Sequence, residues 1–341
     1  MKYSLLLILL LTTESIFAQL KPDIFPEDIG TPGGQIVRCF CKPGVRNKSR
    51  SKGLEIAYAN RGNGTFGDEE NNVDPPYTDY SNWRSFEFDL KGPVLNKEGF
   101  KFLVGYKYAG EIFDVTSPGV DFKETFEQLG NVTLKSGNIS AIITKPLNER
   151  QYMAFRFRYT ANGNFDGIMD FDQRYAIYKA MGVFGMKKHS DFEWGVGLSF
   201  SKSFRRTNIL PFIVYNRSFI NNWGIEAAFP GYVYGRYNLS DKTIFLAGTE
   251  YASSSYRMDV PMGNDAPLDY ALNHSELLFL LRWEQQIVPW VWSNIRTGFQ
   301  MNFSTDFETK AANTQTFLVD PTNSLFFEIG IFISPPDGAF K

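Results

Sequence analysis

Cysteine, histidine and long apolar runs are the scarce features of this chain of 341 residues, which has two Cys and two His. Cys39 and Cys41 form C-x-C. A disulfide between residues two apart is strained, and a metal site needs more ligands. The pair reads as two small apolar residues or a stray redox-active pair. His189 falls in a short turn. His274 begins a strand beside Ser275, but strand neighbours point to opposite faces, so the two do not form a nucleophile–base pair. No His/Cys/Asp cluster has metal-ligand spacing. Gly62-Asn63-Gly64-Thr65 has no following Lys and no strand-to-helix turn, which excludes a phosphate loop. The expectation is a chain with no catalytic residues, no metal and no cofactor, and so no enzyme. Net charge is −2 and the pI is near 5.9, which gives no case for nucleic acid as a partner. After the leader, no segment has the ~18 consecutive apolar residues of a membrane helix.

Aromatic residues are abundant, at 16% with 32 Phe and 17 Tyr, while mean hydropathy is only −0.25. A β-barrel reconciles the two, because its apolar face alternates with a polar one. At the N-terminus, Met1-Lys2 precede an apolar Ser4–Thr13, and Ala18 stands at −1 of a cleavage site before Gln19. Ile16 at −3 is larger than usual. This pattern predicts a secretory signal peptide over 1–18. The absence of Cys at the cleavage point argues against a lipoprotein. Residues 19–52 are rich in Pro and Gly and then basic (Arg46, Lys48, Arg50, Lys52). They read as an N-terminal periplasmic segment that is either a plug in the barrel mouth or a tail outside it.

From Leu54 onward the chain alternates. Met153, Phe155, Phe157 and Tyr159 share one face, with Ala154, Arg156 and Arg158 on the other. Phe192 to Phe200 and Leu277 to Trp283 repeat the pattern. Strands are expected at Trp83–Leu90, Phe100–Glu111 and Asn131–Lys145. Long loops are expected at Asn60–Ser81, Asp114–Thr125, Asn162–Asp172, Ser253–Leu272 and Ser304–Thr322. Gly92–Glu98 and Lys187–Ser190 read as turns. Trp223–Asn238 reads as two short strands, since long and short connections then alternate as in outer-membrane barrels. The fold class is all-β, a transmembrane up-and-down antiparallel barrel of about fourteen strands, with twelve as the alternative.

An apolar face can meet lipid, whereas a charge there costs about 2–4 kcal/mol at mid-depth. Strand parity therefore turns Glu87, Asp89, Lys101, Lys107, Arg156, Arg158, Glu193, Glu226, Glu250, Glu276, Arg282, Glu284, Arg296 and Glu328 into the lumen. Arg84 breaks parity and is expected to snorkel from a strand end. Glu284 and Arg296 are expected to pair across one turn. Gly195, Gly197, Gly298 and Gly330 on the same face are expected to leave room inside.

The stretch LPFIVYNRSFINNWGIEAAFPGYVYGRYNLSDKTIFLAGTEY carries turns at Phe219–Asn222, Phe229–Tyr232 and Asn238–Asp241. At the second, Pro230 suits position i+1 and Gly231 a left-handed i+2. This stretch resembles a family of outer-membrane β-barrels from Bacteroidota known only as a domain of unknown function. WGIEAAFPGYVYGRYNLSDK is its most specific part, and a weaker likeness in strand rhythm runs from Leu54 to the C-terminus. The resemblance implies the fold and a membrane, and it brings no catalytic residues.

The expected organisation is a signal peptide at 1–18, the periplasmic segment or plug at 19–52, the barrel at 53–334 and a C-terminal tail at 335–341. The expected location is the bacterial cell outer membrane. Outer-membrane lipid, the assembly machinery during insertion and a small solute are the expected partners. The leading function is passage of a small solute, polar or apolar. The alternative is a structural or surface-interaction barrel with a filled lumen and no transport.

Overall fold

The computed structural model describes residues 43–67, 78–97, 99–118, 123–204, 207–219, 222–262, 265–309 and 316–334. The leader, residues 19–42 with Cys39 and Cys41, and the tail at 335–341 lie outside the described residues. The strands in order are β1 (Leu54–Asn60), β2 (Gly64–Phe66), β3 (Thr78–Lys97), β4 (Phe100–Pro118), β5 (Leu134–Pro146), β6 (Gln151–Gly163), β7 (Ala176–His189) and β8 (Phe192–Lys202). They continue with β9 (Thr207–Ser218), β10 (Trp223–Phe229), β11 (Tyr232–Ser240), β12 (Thr243–Met262), β13 (Asp265–Val288), β14 (Val291–Thr309), β15 (Thr316–Leu318) and β16 (Ser324–Ile333). A helix, α1 (Lys123–Asn131), stands between β4 and β5.

Every wall strand pairs antiparallel with its chain neighbour, and β1 closes the ring by pairing with both β16 and β3. The short β2 and β15 pair only with β3 and β14, so fourteen strands make the closed wall. At one end, here the turn rim, every connection has two to four residues, as between β3 and β4, β5 and β6, or β13 and β14. The opposite end is the loop rim. Facing residues of antiparallel partners share a side, so register assigns the faces. On β1, Glu55, Ala57 and Ala59 lie opposite Phe332, Gly330 and Glu328, all turned inward. Ile56 and Tyr58 turn outward and are exposed. The outward rows stay apolar around the wall. Leu198 is 59% exposed, Leu281 62% and Leu325 75%, which no sandwich of two packed sheets would leave bare.

The wall is taller than the sequence suggests. β3 runs through the expected turn at Gly92–Glu98 as far as Lys97, and β7 runs through Lys187–His189. Arg84 is consequently not at a strand end. It lies within β3 and reaches Asp114 of β4 at 2.7 Å. The expected long loop Ser253–Leu272 is the upper part of one hairpin, because β12 and β13 stay paired in one register from Thr243/Gln285 to Val260/Leu268 and, after a one-residue irregularity, at Met262/Asp265. Polar and serine-rich residues concealed this. Once the hairpin leaves the wall its faces no longer need the apolar/polar contrast. β13 has 24 residues, more than twice the roughly 9–11 that a tilted strand needs to cross a bilayer. The turn after β10 also differs from the Pro-Gly spacing. The Phe229–Pro230 peptide is cis, and the Gly231 N–H donates to the Ala228 carbonyl at 2.7 Å. That places Pro230 at i+2 of a type VI turn.

The upper hairpin does not stand straight. Arg257 of β12 pairs with Gly163 of β6, on the far side of the ring. Asn164 N–H donates to the Arg257 carbonyl (3.1 Å), and Asn162 Nδ2 to that of Ser255 (3.0 Å). A Cβ at Gly163 would sit 2.4 Å from the Arg257 carbonyl oxygen, so this approach requires glycine. The hairpin therefore leans across the loop rim. Under it lies an apolar cluster of Phe66, Tyr80, Trp83, Phe113, Tyr256, Met258 and Phe307, into which α1 inserts Phe126 and Leu129. These two residues, spaced i and i+3 on one helix face, explain how a mostly polar nine-residue stretch forms a helix there.

Candidate functional site

Beneath the cap the lumen opens into a chamber of about 180 Å³, enough for on the order of a dozen waters or a small solute. Its wall is polar. Ser85, Ser136, Ser201 and Ser253–Ser255 alternate with Asn138, Thr160 and Asn162. Arg61, Lys107, Arg158, Lys179 and Arg296 supply positive charge, and Glu87, Glu111, Glu276 and Glu328 negative charge. Each of these carboxylates has a donor nearby. Lys107 Nζ is 2.7 Å from Glu87, and Tyr256 Oη donates to Glu111 at 2.7 Å. Arg296 is 3.0 Å from Glu328 and 2.7 Å from Glu250. Glu276 lies 3.0 Å from His274 Nε2 and 3.8 Å from Arg61.

Below the chamber the barrel is packed. Leu103, Ile142, Tyr152, Val183, Phe212 and Val214 form one inward apolar cluster, and Tyr234, Leu246, Leu280, Trp292 and Phe332 belong to a second. Runs such as Leu277-Leu278-Phe279-Leu280-Leu281 put apolar side chains on both faces, Leu278 and Leu280 inward and the other three outward. Alternation marks only the outward set, so sequence reasoning missed the inward one. The inward glycines leave no void either. A Cβ at Gly197 would meet the Phe212 ring at 2.2 Å, and one at Gly298 would meet the Phe279 carbonyl at 1.9 Å. None of Gly195, Gly197, Gly298 or Gly330 lines the chamber.

The turn rim is crossed by residues 43–52. Gly44 N–H donates to Glu193 Oε1 at 3.0 Å. Ser49 donates twice to Glu226, from N–H at 2.9 Å and from Oγ at 2.6 Å. Both carboxylates are buried. Glu193 also accepts from Tyr152 Oη (2.5 Å) and Asn216 Nδ2 (2.7 Å), and Glu226 lies 3.3 Å from Arg236 Nε. The strap runs from the β7–β8 turn, where Arg46 meets Asp191, past β10 to Trp292 of β14 and Phe332 of β16, about half-way round the ring. Gly44 at φ 102° and Asn47 at φ 57° supply its left-handed bends. The basic residues hold its edges. Arg46 pairs with Asp191 in the β7–β8 turn, Lys52 with Glu55 at 2.8 Å, and Arg50 lies over the Trp292 ring. The Arg46 hydrogen bond holds the Asp191 carboxyl below its ordinary range, and the same contact raises the Arg46 guanidinium further.

Register turns all fourteen charged residues singled out from the sequence inward, but it does not gather them in one place. Glu87, Lys107, Arg158, Glu276, Arg296 and Glu328 line the chamber. Glu250 backs Arg296. Glu193 and Glu226 hold the strap. Asp89 pairs with Lys91 at 2.7 Å, Lys101 lies opposite Thr144 and Arg156 opposite Ile142, nearer the turn rim. Arg282 and Glu284 sit in the packed floor, 3.7 Å apart. The expected Glu284–Arg296 pair does not form. Register puts Glu284 opposite Asn294, and Arg282 opposite Arg296. Sequence reasoning also missed inward Glu55, Arg61, Lys91, Glu111, Lys179, Lys187 and Arg236. Parity within β3, β4, β7 and β11 would have found all but Glu55 and Arg61. With them included, carboxylates do not outnumber cations among these inward residues. His274 has both ring nitrogens engaged, Nδ1 with Thr305 at 2.6 Å and Nε2 with Glu276. Neither is left to activate a serine.

A family profile described as "Domain of unknown function (DUF6268)" matches residues 119–334. No curated protein matches. Among solved structures, the chain is similar to the siderophore receptor PirA from Acinetobacter baumannii at 8% identity and a TM-score of 0.23, covering 83% of this chain and 60% of that one. A likeness that low carries no argument about function.

Proposed function

We propose, for a chain that belongs to this family of unknown function, an outer-membrane β-barrel that passes a small polar solute and rests closed at both ends. One observation carries the reading: a chamber lined by charged and polar side chains lies inside the wall beneath a leaning hairpin cap, with a packed floor and then the strap between it and the opposite mouth. A wall with an apolar outer face and a charged inner one is suited to lipid. In that setting the turn rim faces the periplasm, where the N-terminal segment emerges, and the loop rim faces outward. Lipid and the assembly machinery are its partners there. The roles of the parts follow from their bonding. The cap is held by its apolar cluster and by Arg257–Asp269 and Arg174–Asp259, and the strap by hydrogen bonds and ion pairs at the rim, so the strap is the closure that single polar substitutions can loosen. We read the chain as non-catalytic.

A second reading, a structural barrel with no transport, draws on the packed floor around Tyr152, Phe212, Trp292 and Phe332. Swelling of proteoliposomes in small polar solutes separates the two. The passage reading predicts measurable entry that rises when the strap is released. The structural reading predicts none in either condition.

A further inference from the structure

Ile168 and Phe171 are 63% and 69% exposed, yet they belong to the β6–β7 loop and not to a strand. The loop does not rise from the rim. Gly167, at φ 77°, bends it, and it lies down the outside of the wall. Ala161 stands on the outward row of β6 with Phe157 and Tyr159, and it is buried in a cluster with Phe165 and Tyr175 of the loop. Opposite Ala161 on β5 is Gly137. A Cβ there would stand 2.5 Å from the Ile168 carbonyl oxygen and 2.8 Å from Met169 Sδ, so the loop sits this close because the position has no side chain. The outward side chains of the wall supply the loop's hydrogen bonds. Lys135 Nζ donates to the Phe165 carbonyl at 2.7 Å, Tyr106 Oη to that of Ile168 at 2.8 Å and Tyr159 Oη to that of Asp170 at 3.3 Å. The Asp170 and Asp172 carboxylates accept from the Asp172 and Arg174 N–H groups. Backbone satisfied in this way can leave water without the usual cost. Phe171 lays its ring along Tyr159, centroids 5.7 Å apart, and keeps its other side bare.

The height of the loop follows from β5. Its outward row runs from Lys145 through Ile143, Ala141 and Ile139 to Gly137 and Lys135. The two lysines are ten residues apart, about 33 Å along a strand and roughly 25 Å of height at the usual barrel tilt. The apolar band of an outer-membrane barrel is about as tall. Lys145 and Lys135 thus mark its two edges, and the Ile168 carbonyl rests over Gly137, just inside the upper one. We infer that the β6–β7 loop is a lipid anchor: Ile168 and Phe171 enter the outer leaflet where acyl chains meet headgroups, and so fix the depth of this side of the barrel. Tyr106 and Tyr159, apolar rings with polar tips, suit that level. Lipid is the occupant because the bare loop residues continue the exposed apolar row of Ile139 and Phe157 directly below them. The inference rests on the outer-membrane reading and adds a contact outside the wall to it.

The test is nitroxide depth measurement by power saturation on the full chain in phosphatidylethanolamine–phosphatidylglycerol vesicles. Cys39→Ser and Cys41→Ser clear the background, and single labels go on Ile168→Cys, Phe171→Cys or, as the mid-wall control, Phe157→Cys. Oxygen concentrates among acyl chains and a nickel chelate stays in water. The labels at 168 and 171 should relax more with oxygen than with the chelate, less strongly than the label at 157. Gly137→Leu, whose side chain would collide with the Ile168 carbonyl, should lift the loop and reverse that order at 168 and 171 while leaving 157 in lipid. Chelate reaching 168 and 171 with 157 still in lipid would overturn the inference and leave the outer-membrane reading standing. Chelate reaching all three would remove both. Labels at 168 and 171 shielded from both reagents, or broadened by one another, would place a second copy on the loop and overturn the lipid assignment. Depths unchanged by Gly137→Leu would overturn the seat given to the loop.

Discussion

Ser49→Ala probes how the strap is held. In the intact protein Ser49 gives Glu226 two hydrogen bonds, from N–H at 2.9 Å and from Oγ at 2.6 Å. Alanine keeps the first and removes the second. Glu226 and Arg236 are 2% and 0% exposed, so water does not readily replace the lost donor. A hydrogen bond to a charged group contributes about 1.5–3 kcal/mol, and about 1.4 kcal/mol is a factor of ten. Strap release should therefore become roughly 10- to 100-fold more frequent. Amide hydrogen exchange reads this directly. The N–H groups of Gly44, Arg46 and Ser49 donate to Glu193, the Ser190 carbonyl and Glu226, so they exchange only when the strap lifts. In Ser49→Ala, exchange over residues 43–52 should accelerate by that factor, with amides of β8 and β10 unchanged. An unchanged strap, or acceleration spread equally over the barrel, would refute the reasoning.

Three further outcomes follow from the same geometry. Glu284→Gln should destabilise the barrel by as much as about 3–5 kcal/mol, seen as a lower unfolding temperature, because Glu284 is fully buried beside Arg282. Phe279→Arg places a charge on the outer face, at a cost of about 2–4 kcal/mol at mid-depth, and should reduce the membrane-assembled fraction more than Arg156→Gln; the opposite order would invert the assigned faces. Asp191 is lowered by its bond from Arg46, with Ser190 and His189 also facing it. Its contribution to holding the strap is thus full above the ordinary aspartate range and is lost only as pH falls through the depressed value. Strap protection in wild type and Asp191→Asn should differ at neutral pH and converge in strong acid, and a gap that persists there would reject the assignment.

The barrel was legible because outward rows such as Met153/Phe155/Phe157 and Leu277/Phe279/Leu281 must be apolar, and strict period two then fixes the face of every charge between them. The two short strands β10 and β11 followed from the alternation of long and short connections. What the sequence hid has physical causes. The upper β12–β13 hairpin leaves the wall, so its serines carry no amphipathic signal. Leu278, Leu280 and Trp292 fill the floor from positions where alternation predicts polar residues, and an inward apolar residue looks the same as a break in pattern. Pairing inside the lumen depends on register. With Glu284 opposite Asn294 and Arg282 opposite Arg296, the Arg296 guanidinium meets Glu250 and Glu328 rather than the expected Glu284. Strap docking relies on backbone N–H groups, which every residue carries, so no side-chain motif announces it. The basic residues that drew attention there anchor only its edges.

The central claim is that residues 43–52, seated over the packed floor at the turn rim, are part of the closure of a barrel that passes a solute. Planar-bilayer recording of the full chain beside a variant lacking Asp23–Arg50, each shown to be folded by heat-modifiable migration, tests it most directly. The account predicts rare or small openings for the full chain and a clearly higher single-channel conductance for the deletion. Equal silence from both folded proteins would contradict it and leave the filled, structural barrel.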